Sequence, residues 1–267
     1  MSKGHGKVVF SKDKIVEINV GAGDLILKRN DDDNMLYFDT DDSFFSLKSY
    51  EDDSVVHIDV GKINLITGFL SSLGDLTVRI PKDIKIRINV SSGDVEAEGL
   101  ILDKIEVSLK SGDLSIKNLN CNEGNFVLMN GDLLLDAEIK SLKAKSSNGG
   151  MSLYIKNDSE NIILNSLLGD ILLKLEKEPK VVEGSTLLGD FNINGKETNK
   201  IKGSGRCKAI LSLTNGDANV ICPVSSEVKK EDDEDIKKIL KMLKEGKINK
   251  DEAAQLLDSL HFKKEVF

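Results

Sequence analysis

The residues with the clearest chemical potential are aspartates that follow glycine at regular spacing. A row of carboxylates could bind cations, and converging carboxylates could supply the acid and base of a carbohydrate-cleaving enzyme. The same residue pair also makes tight turns, because Gly adopts positive φ and Asp bonds neighbouring amides. We interpret the row as a structural turn ladder, since an active site needs one local cluster and these residues are evenly spaced. The ladder comprises Gly74, Asp75, Gly93, Asp94, Gly112, Asp113, Gly131, Asp132, Gly169, Asp170, Gly189, Asp190, Gly216 and Asp217.

Other residue types that carry out catalysis are scattered. No His-Cys cluster has metal-ligand spacing, and no Gly-X-Ser-X-Gly elbow occurs. The Gly-Gly-X-Gly-X-Asp pattern of calcium-binding repeats is also absent. The three cysteines are odd in number and widely spaced, which is not typical of a disulfide framework. The sequence therefore predicts no catalytic residue, no metal site and no cofactor, and a protein that is not an enzyme.

The glycines of the ladder define a repeat that must position these aspartates. From Gly74 onward the intervals, including Gly149, are 19, 19, 19, 18, 20, 20 and 27 residues. Alternating segments such as Ile86–Val90 and Ile105–Leu109 predict strands with one buried face. A constant unit of this length fits a mainly β fold, either a parallel β-solenoid with coils of about 19 residues or a sandwich of hairpins. We favour the solenoid, because apolar residues recur at equivalent positions of each unit.

The chain divides into three parts by pattern. Residues 1–222 form the predicted β-solenoid domain, in which residues 1–70 are less regular and suit a cap. Residues 223–235 form a charged linker, and residues 236–267 form a predicted helical hairpin. The apolar stripe of that hairpin comprises Ile236, Ile239, Leu240, Leu243, Ala253, Leu256, Leu257 and Leu260. Short helices need a packing partner, which could be the solenoid end, another copy of the chain or a different protein.

Composition narrows the classes of partner. The chain has 267 residues and a formal net charge of −8, which disfavours nucleic-acid binding. No apolar run is long enough for a transmembrane helix, and the first residues lack a signal-peptide pattern. We therefore expect a cytoplasmic protein, with surface association as a minor alternative. Membrane contact is possible but unsupported, and no small-molecule substrate is evident.

Two segments carry a resemblance to known families. Residues 76–82, followed by 86–95, resemble a bacterial family of unknown function that is labelled putative adhesin and is built from Gly-Asp β-repeats. Residues 239–248 and 251–257 resemble a short helical-hairpin module that accompanies this β-domain, usually at the N-terminus. The resemblance implies a β-helical protein connected with bacterial cell-envelope stress, without an established enzymatic activity.

Three functions remain open at this point. The first is a non-enzymatic scaffold that associates with itself or docks on a protein through the helical tail. The second is a module that binds glycans, lipids or envelope peptides, with the aromatic residues between Tyr37 and Tyr50 as its contact surface. The third is a carbohydrate-active enzyme, against which the even spacing of the aspartates argues.

Overall fold

A computed structural model of the protein describes residues 4–31, 34–41, 45–63, 70–71, 75–156, 159–224 and 242. The chain divides into two compact units, Met1–Val224 and Ser225–Phe267. The described residues of the first unit form strands and no helix, which confirms the mainly β prediction. The predicted hairpin at 236–267 lies outside the described residues, apart from Met242.

The strands, in chain order, are β1 (Gly4–Val9), β2 (Ile15–Ala22), β3 (Leu25–Asn30), β4 (Met35–Thr40), β5 (Phe45–Glu51), β6 (Val55–Ile63), β7 (Leu70–Ser71), β8 (Leu76–Pro81), β9 (Lys85–Ser92), β10 (Val95–Glu98), β11 (Ile101–Ser111), β12 (Leu114–Asn130), β13 (Leu133–Asn148), β14 (Met151–Ile155), β15 (Asn161–Leu168), β16 (Ile171–Leu175), β17 (Val181–Leu188), β18 (Phe191–Ile193), β19 (Lys196–Glu197), β20 (Lys200–Lys202), β21 (Lys208–Asn215) and β22 (Ala218–Ile221).

The strands stack in parallel on two faces that meet at the Gly-Asp turns. Face A contains the strands that lead into the turns, in the spatial order β6, β2, β9, β11, β12, β13, β15, β21 and β17. Face B contains the strands that leave the turns, in the order β8, β3, β10, β12, β13, β14, β16, β22 and β18. The long strands β12 and β13 bend round the coil and contribute to both faces.

The spatial order of the coils differs from the chain order at both ends. The coil of β2 and β3 lies between the coil of β6 and β8 and that of β9 and β10. At the other end, β21 and β22 lie inside β17 and β18. Both exchanges occur where the spacing between turn glycines is longest, from Gly23 to Gly74 and from Gly189 to Gly216. The step across an intervening coil itself needs no extra length, because the chain passes from β8 to β9 and from β16 to β17 within intervals of 19 and 20 residues. The long intervals connect neighbouring coils and carry the additional antiparallel strands.

Antiparallel strands cover the ends of the stack. On face A, β5 pairs with β6 and β20 pairs with the start of β17. On face B, β4 pairs with β8 and in turn with β1, while β19 forms a hairpin with β18. Such strands limit the exposed backbone edges that a parallel stack otherwise presents at its ends.

The core between the faces is made of inward-facing apolar residues stacked from coil to coil. Large and small side chains alternate where space is limited: Phe126 pairs with Val107 on one side and with Ala144 on the other, and all three are buried. Gly124 lies under the Phe126 ring, where a Cβ atom would stand 3.0 Å from ring atom Cε2. Interdigitation of this kind gives the close packing that a coil core requires.

At the turns the coils approach each other too closely for any side chain. Gly112 has φ of 129°, and a Cβ atom there would lie 2.2 Å from the carbonyl oxygen of Gly93 in the adjacent coil. Backbone of this conformation is almost restricted to glycine. The turn glycines from Gly93 to Gly216 are therefore required by both conformation and contact.

We predict that Gly112→Ala lowers the free energy of unfolding by at least about 2 kcal/mol, because it adds backbone strain and a steric clash. Ser111→Ala is the matched control, since Ser111 precedes the turn and is exposed. Urea denaturation followed by circular dichroism measures both. Equal stability of the two variants would contradict the role of the close turn contact.

Candidate functional site

The aspartates of the turns form a row along the edge between the two faces, with Gly150 in the place of one aspartate. Its members, in spatial order from Asp24, are Asp24, Asp94, Asp113, Asp132, Gly150, Asp170, Asp217 and Asp190. Asp75 is exposed in the coil beyond Asp24, where Leu76 donates its N–H to the Asp24 carbonyl at 2.8 Å. Gly74 lies outside the described residues.

From Asp24 to Asp217, each carboxylate in the row accepts a hydrogen bond from the backbone of the next coil. Asp94 Oδ1 accepts the N–H of Asp113 at 2.8 Å, and Asp113 Oδ1 accepts that of Asp132 at 2.8 Å. The same bond joins Asp170 to Asp217 and Asp217 to Asp190. A charged acceptor makes such bonds strong, so the contacts offset the repulsion between neighbouring carboxylates.

This geometry explains the aspartates without a ligand. One oxygen of each bonded carboxylate is used to join two coils, as is expected of a turn-forming residue. Within the described ranges, no group of three or more His, Cys, Asp or Glu residues could hold a metal ion. The three cysteines are buried, and burial raises the pKa of Cys121 and of Cys222 to about 11, so these thiols stay protonated at neutral pH.

The row is interrupted at Gly150. Its N–H donates to Asp132 Oδ1 at 2.7 Å, but it has no side chain to accept the N–H of Asp170. Gly150 does not have positive φ, and a Cβ atom there would meet its nearest neighbour, the Asp170 carbonyl oxygen, at an ordinary 3.5 Å. A side chain can therefore be accommodated at this position.

We predict that Gly150→Asn raises the free energy of unfolding by about 1 kcal/mol. The new amide oxygen accepts the Asp170 N–H, and replacing glycine lowers the conformational entropy of the unfolded chain. Asparagine is chosen because it adds no charge to the row. Asp113→Ala, which deletes an existing acceptor, should lower the free energy of unfolding by a similar amount. Thermal denaturation measures both, and a destabilised Gly150→Asn protein would contradict the argument.

The tail residues of the predicted stripe, from Ile236 to Leu260, lie outside the described residues. Their role in self-association stays a prediction. Among the described residues, no helix is long and apolar enough to cross a membrane.

A polar network on the outer surface of face A was not predicted from the sequence. His57 on β6 lies between two carboxylates, with Nδ1 2.7 Å from Glu17 Oε2 and Nε2 3.1 Å from Asp52 Oδ2. Asp52 Oδ1 also accepts the backbone N–H groups of Ser54 and Val55, which closes the turn between β5 and β6. These backbone bonds, together with His57, lower the pKa of Asp52 to about 2.

The network continues across face A as alternating charges. Arg87 Nε donates to Glu106 Oε2 at 2.8 Å, and an Arg87 terminal nitrogen lies 3.6 Å from Glu17 Oε1. Lys104 Nζ lies 2.9 Å from Glu106 Oε1. Cross-strand partners in register place these side chains side by side. The arrangement joins β6, β2, β9 and β11.

The hydrogen bond to Asp52, followed by that to Glu17, raises the pKa of His57 above its ordinary value of 6.5. The stability that His57 contributes is therefore fully present below about pH 6.5 and is lost as the pH rises through the folded-state pKa. We predict that His57→Gln destabilises the protein more at about pH 5.5 than at about pH 9. Urea denaturation at both values measures the difference.

The raised pKa of His57 can also be measured directly on its imidazole ring. In an NMR titration the midpoint of His57 should lie above 6.5 and should fall in Glu17→Gln. A midpoint that does not respond to this substitution would contradict the assigned contacts.

A second departure from the repeat is an apolar patch before two of the turns. The pre-turn leucine patch consists of Leu167, Leu168, Leu187 and Leu188, with exposed fractions of 50%, 44%, 75% and 62%. Leu168 and Leu188 flank Asn215 of the intervening strand β21. The equivalent residues of the central coils are mostly polar, as in Ser91-Ser92 and Ser147-Asn148. The doubled Leu-Leu-Gly-Asp sequence was the available signal.

Comparison with known families agrees with this architecture. The model of the Toastrack DUF4097 family matches residues 13–239, and the chain belongs to that family. Residues 234–265 match a SHOCT-like domain. The family resemblance expected from the sequence is confirmed. A comparison with curated proteins gives no match.

Two solved structures that match most of the chain are described as adhesion proteins. A putative cell adhesion protein from Clostridium sporogenes is 14% identical, with a TM-score of 0.41, and the match covers 83% of this chain and 100% of the other. A putative adhesin from Bacteroides fragilis is 9% identical, with a TM-score of 0.38, over 83% and 97% of the two chains.

Proposed function

We propose that this protein is a non-enzymatic interaction scaffold, in which a rigid β-coil presents contact surfaces and copies of the chain associate. The observation that carries the proposal is the pre-turn leucine patch at one end of face A. Exposed apolar side chains that lie together mark interaction sites. Leu187 and Leu188 are adjacent on the end strand β17, and Asn215 of β21 separates Leu188 from Leu168. The bonded turn row supports the scaffold part, because it holds successive coils at one fixed spacing.

The end strand β17 supplies a backbone edge beside the patch. Val181–Glu183 pairs with β20, and Gly184 donates its N–H to Asn199. On that outer side, no described strand pairs with residues 185–188. An edge strand with unpaired backbone groups is a template for pairing with another chain.

A second copy of the chain is the proposed occupant. Residues 184–188 contain no charged side chain, although the whole chain carries a net charge of −8. Two copies can therefore bring these segments together without direct repulsion between like charges. A twofold axis at the edge would pair residues 184–188 of one copy with the same residues of the other. Leu187 and Leu188 of both copies would then be buried, and twofold symmetry is the usual geometry of homodimers.

The C-terminal stripe is proposed as a second contact, either with another copy or with a partner protein. The SHOCT-like match covers this segment and leaves its role as a proposal. A cytoplasmic location and a part in bacterial cell-envelope stress stay predictions, and both rest on the sequence and the family resemblance.

We predict that Leu187→Lys with Leu188→Lys lowers the solution mass measured by light scattering, because charges at the edge oppose pairing. Leu134→Lys is the matched control, since Leu134 is 46% exposed on face B, away from the edge. A chain ending at Ser226, and full-length Leu256→Asp with Leu260→Asp, test the tail separately.

The masses of the four variants, each compared with that of the wild-type protein, distinguish the contact at β17 from the contact through the tail. An edge variant that keeps the wild-type mass, beside a monomeric truncated chain, would assign assembly to the tail alone and overturn the role of β17. A monomeric wild-type protein at high concentration would overturn self-association altogether. Circular dichroism of each variant checks that the β-coil remains folded.

A further inference from the structure

The outer surface of face A carries a groove near the end formed by β5 and β6. Its volume is about 500 Å³, and its lining comes from β5, β6, β2, β9 and β11. The residues that define it are Gly21, Asn19, Asn89, Lys48, Lys110 and Asp59. The groove thus runs across the strands, over four strand spacings, or roughly 19 Å.

The floor of the groove is open because Gly21 has no side chain. Gly21 is an exposed residue of β2 without positive φ, and a Cβ atom there would meet no atom within 4 Å. Neither a turn nor a close packing contact requires glycine at this position. This distinguishes Gly21 from Gly112, whose backbone and neighbours exclude any other residue. A side chain at residue 21 would instead occupy the groove.

Ordered amides line one wall. Asn89 Nδ2 donates to Asn19 Oδ1 at 2.9 Å and to Glu17 Oε1 at 3.0 Å, and Asn19 Nδ2 donates to Asp59 Oδ1 at 2.9 Å. This chain of bonds fixes the orientation of both amides. It leaves Asn89 Oδ1 without a donor among the described residues, so that a hydroxyl group of a ligand can donate to it.

Lysines stand at the two ends of the groove. Lys48 on β5 and Lys110 on β11 are exposed, and neither forms an ion pair with a carboxylate of the described residues. Asp59 is the single carboxylate among the described lining residues. The groove is therefore locally cationic, although the chain as a whole is acidic. Separated cations select a ligand that carries more than one negative charge.

The direction of the groove favours a sugar chain over a peptide. A peptide that adds to a sheet needs unpaired backbone groups along a strand edge. Here β6, β2, β9 and β11 each have strand neighbours on both sides. Among the described strands β5 pairs with β6 alone, but a peptide added to its other edge would lie along that strand and not across the groove. Amides, hydroxyls and lysines repeated from strand to strand suit a polyhydroxylated chain whose acidic units reach the two ends.

An exposed aromatic ring stands beside the same groove. Tyr50 is 59% exposed, and its ring stacks on His57 with a centroid separation of 4.6 Å and an interplanar angle of 15°. It lies two residues from Lys48 on β5, and therefore on the same side of that strand. The free face of the ring can pack against the apolar face of a sugar.

We infer that this groove binds a linear oligosaccharide that carries carboxylates, with Lys48 and Lys110 contacting the acidic groups and Asn19 and Asn89 the hydroxyls. The inference is independent of self-association, because it concerns the opposite end of face A and is measured by binding instead of mass.

Isothermal titration calorimetry with tetragalacturonate tests the inference on the full chain. Wild-type protein should bind it and should bind neutral maltotetraose at least about tenfold more weakly, because the lysine contacts are charge-assisted. Gly21→Val should abolish binding while keeping the melting temperature, since valine suits a strand and fills the groove. Lys48→Gln with Lys110→Gln should lower affinity roughly tenfold or more.

Matched variants on the same face serve as controls. Asn165→Val on β15 and Lys145→Gln on β13 change exposed residues of face A that do not line the groove, and they should leave binding unchanged. The inference is overturned if wild-type protein does not bind tetragalacturonate, if Gly21→Val binds it normally, or if tetraglutamate binds as tightly as the sugar acid. A folded Gly21→Val protein ensures that lost binding is not lost structure.

Discussion

The contact on which the rest of this structure depends is the close approach of one turn to the next. A turn glycine lies so near the carbonyl of the adjacent coil that no Cβ atom fits between them. The aspartate that follows then bonds the backbone of the neighbouring coil. Contact and bond together set the register at one edge. The two faces follow that register because each strand from β9 to β18 begins or ends at such a turn.

Because the register is fixed at the turns, the path between two turns can vary without disturbing the stack. Intervals of 19 and 20 residues step across an intervening coil at the two ends. The extra length of the long intervals forms the antiparallel strands β4, β5 and β20. The N–H of Asp94 bonds to Asp24, which is distant in sequence, as readily as the N–H of Asp113 bonds to Asp94. Stacking is therefore governed by compatibility of turns and not by sequence order.

This explains what could be predicted from the sequence. The spacing of Gly93, Gly112 and Gly131 indicates equal coils, since each interval must complete one circuit, and alternation along Ile86–Val90 indicates which side is buried. The order of the terminal coils could not be predicted, because every coil presents the same turn to its neighbours. The position of His57 between Glu17 and Asp52 was equally inaccessible, since it depends on β2 lying beside β6.

A uniform coil makes each departure from the pattern informative, because the fold itself accounts for the uniform part. Gly150 weakens the turn row, Leu187 and Leu188 expose apolar surface, and Gly21 leaves a strand without a side chain. Each of these residues reduces stability or solubility, and neither backbone conformation nor packing requires any of them. The last two lie beside an unpaired edge and a cationic groove, where a binding partner would supply the missing contacts. Binding surfaces in this protein are therefore best sought at positions where a residue departs from the repeat pattern, lowers stability or solubility, and is not required by the fold.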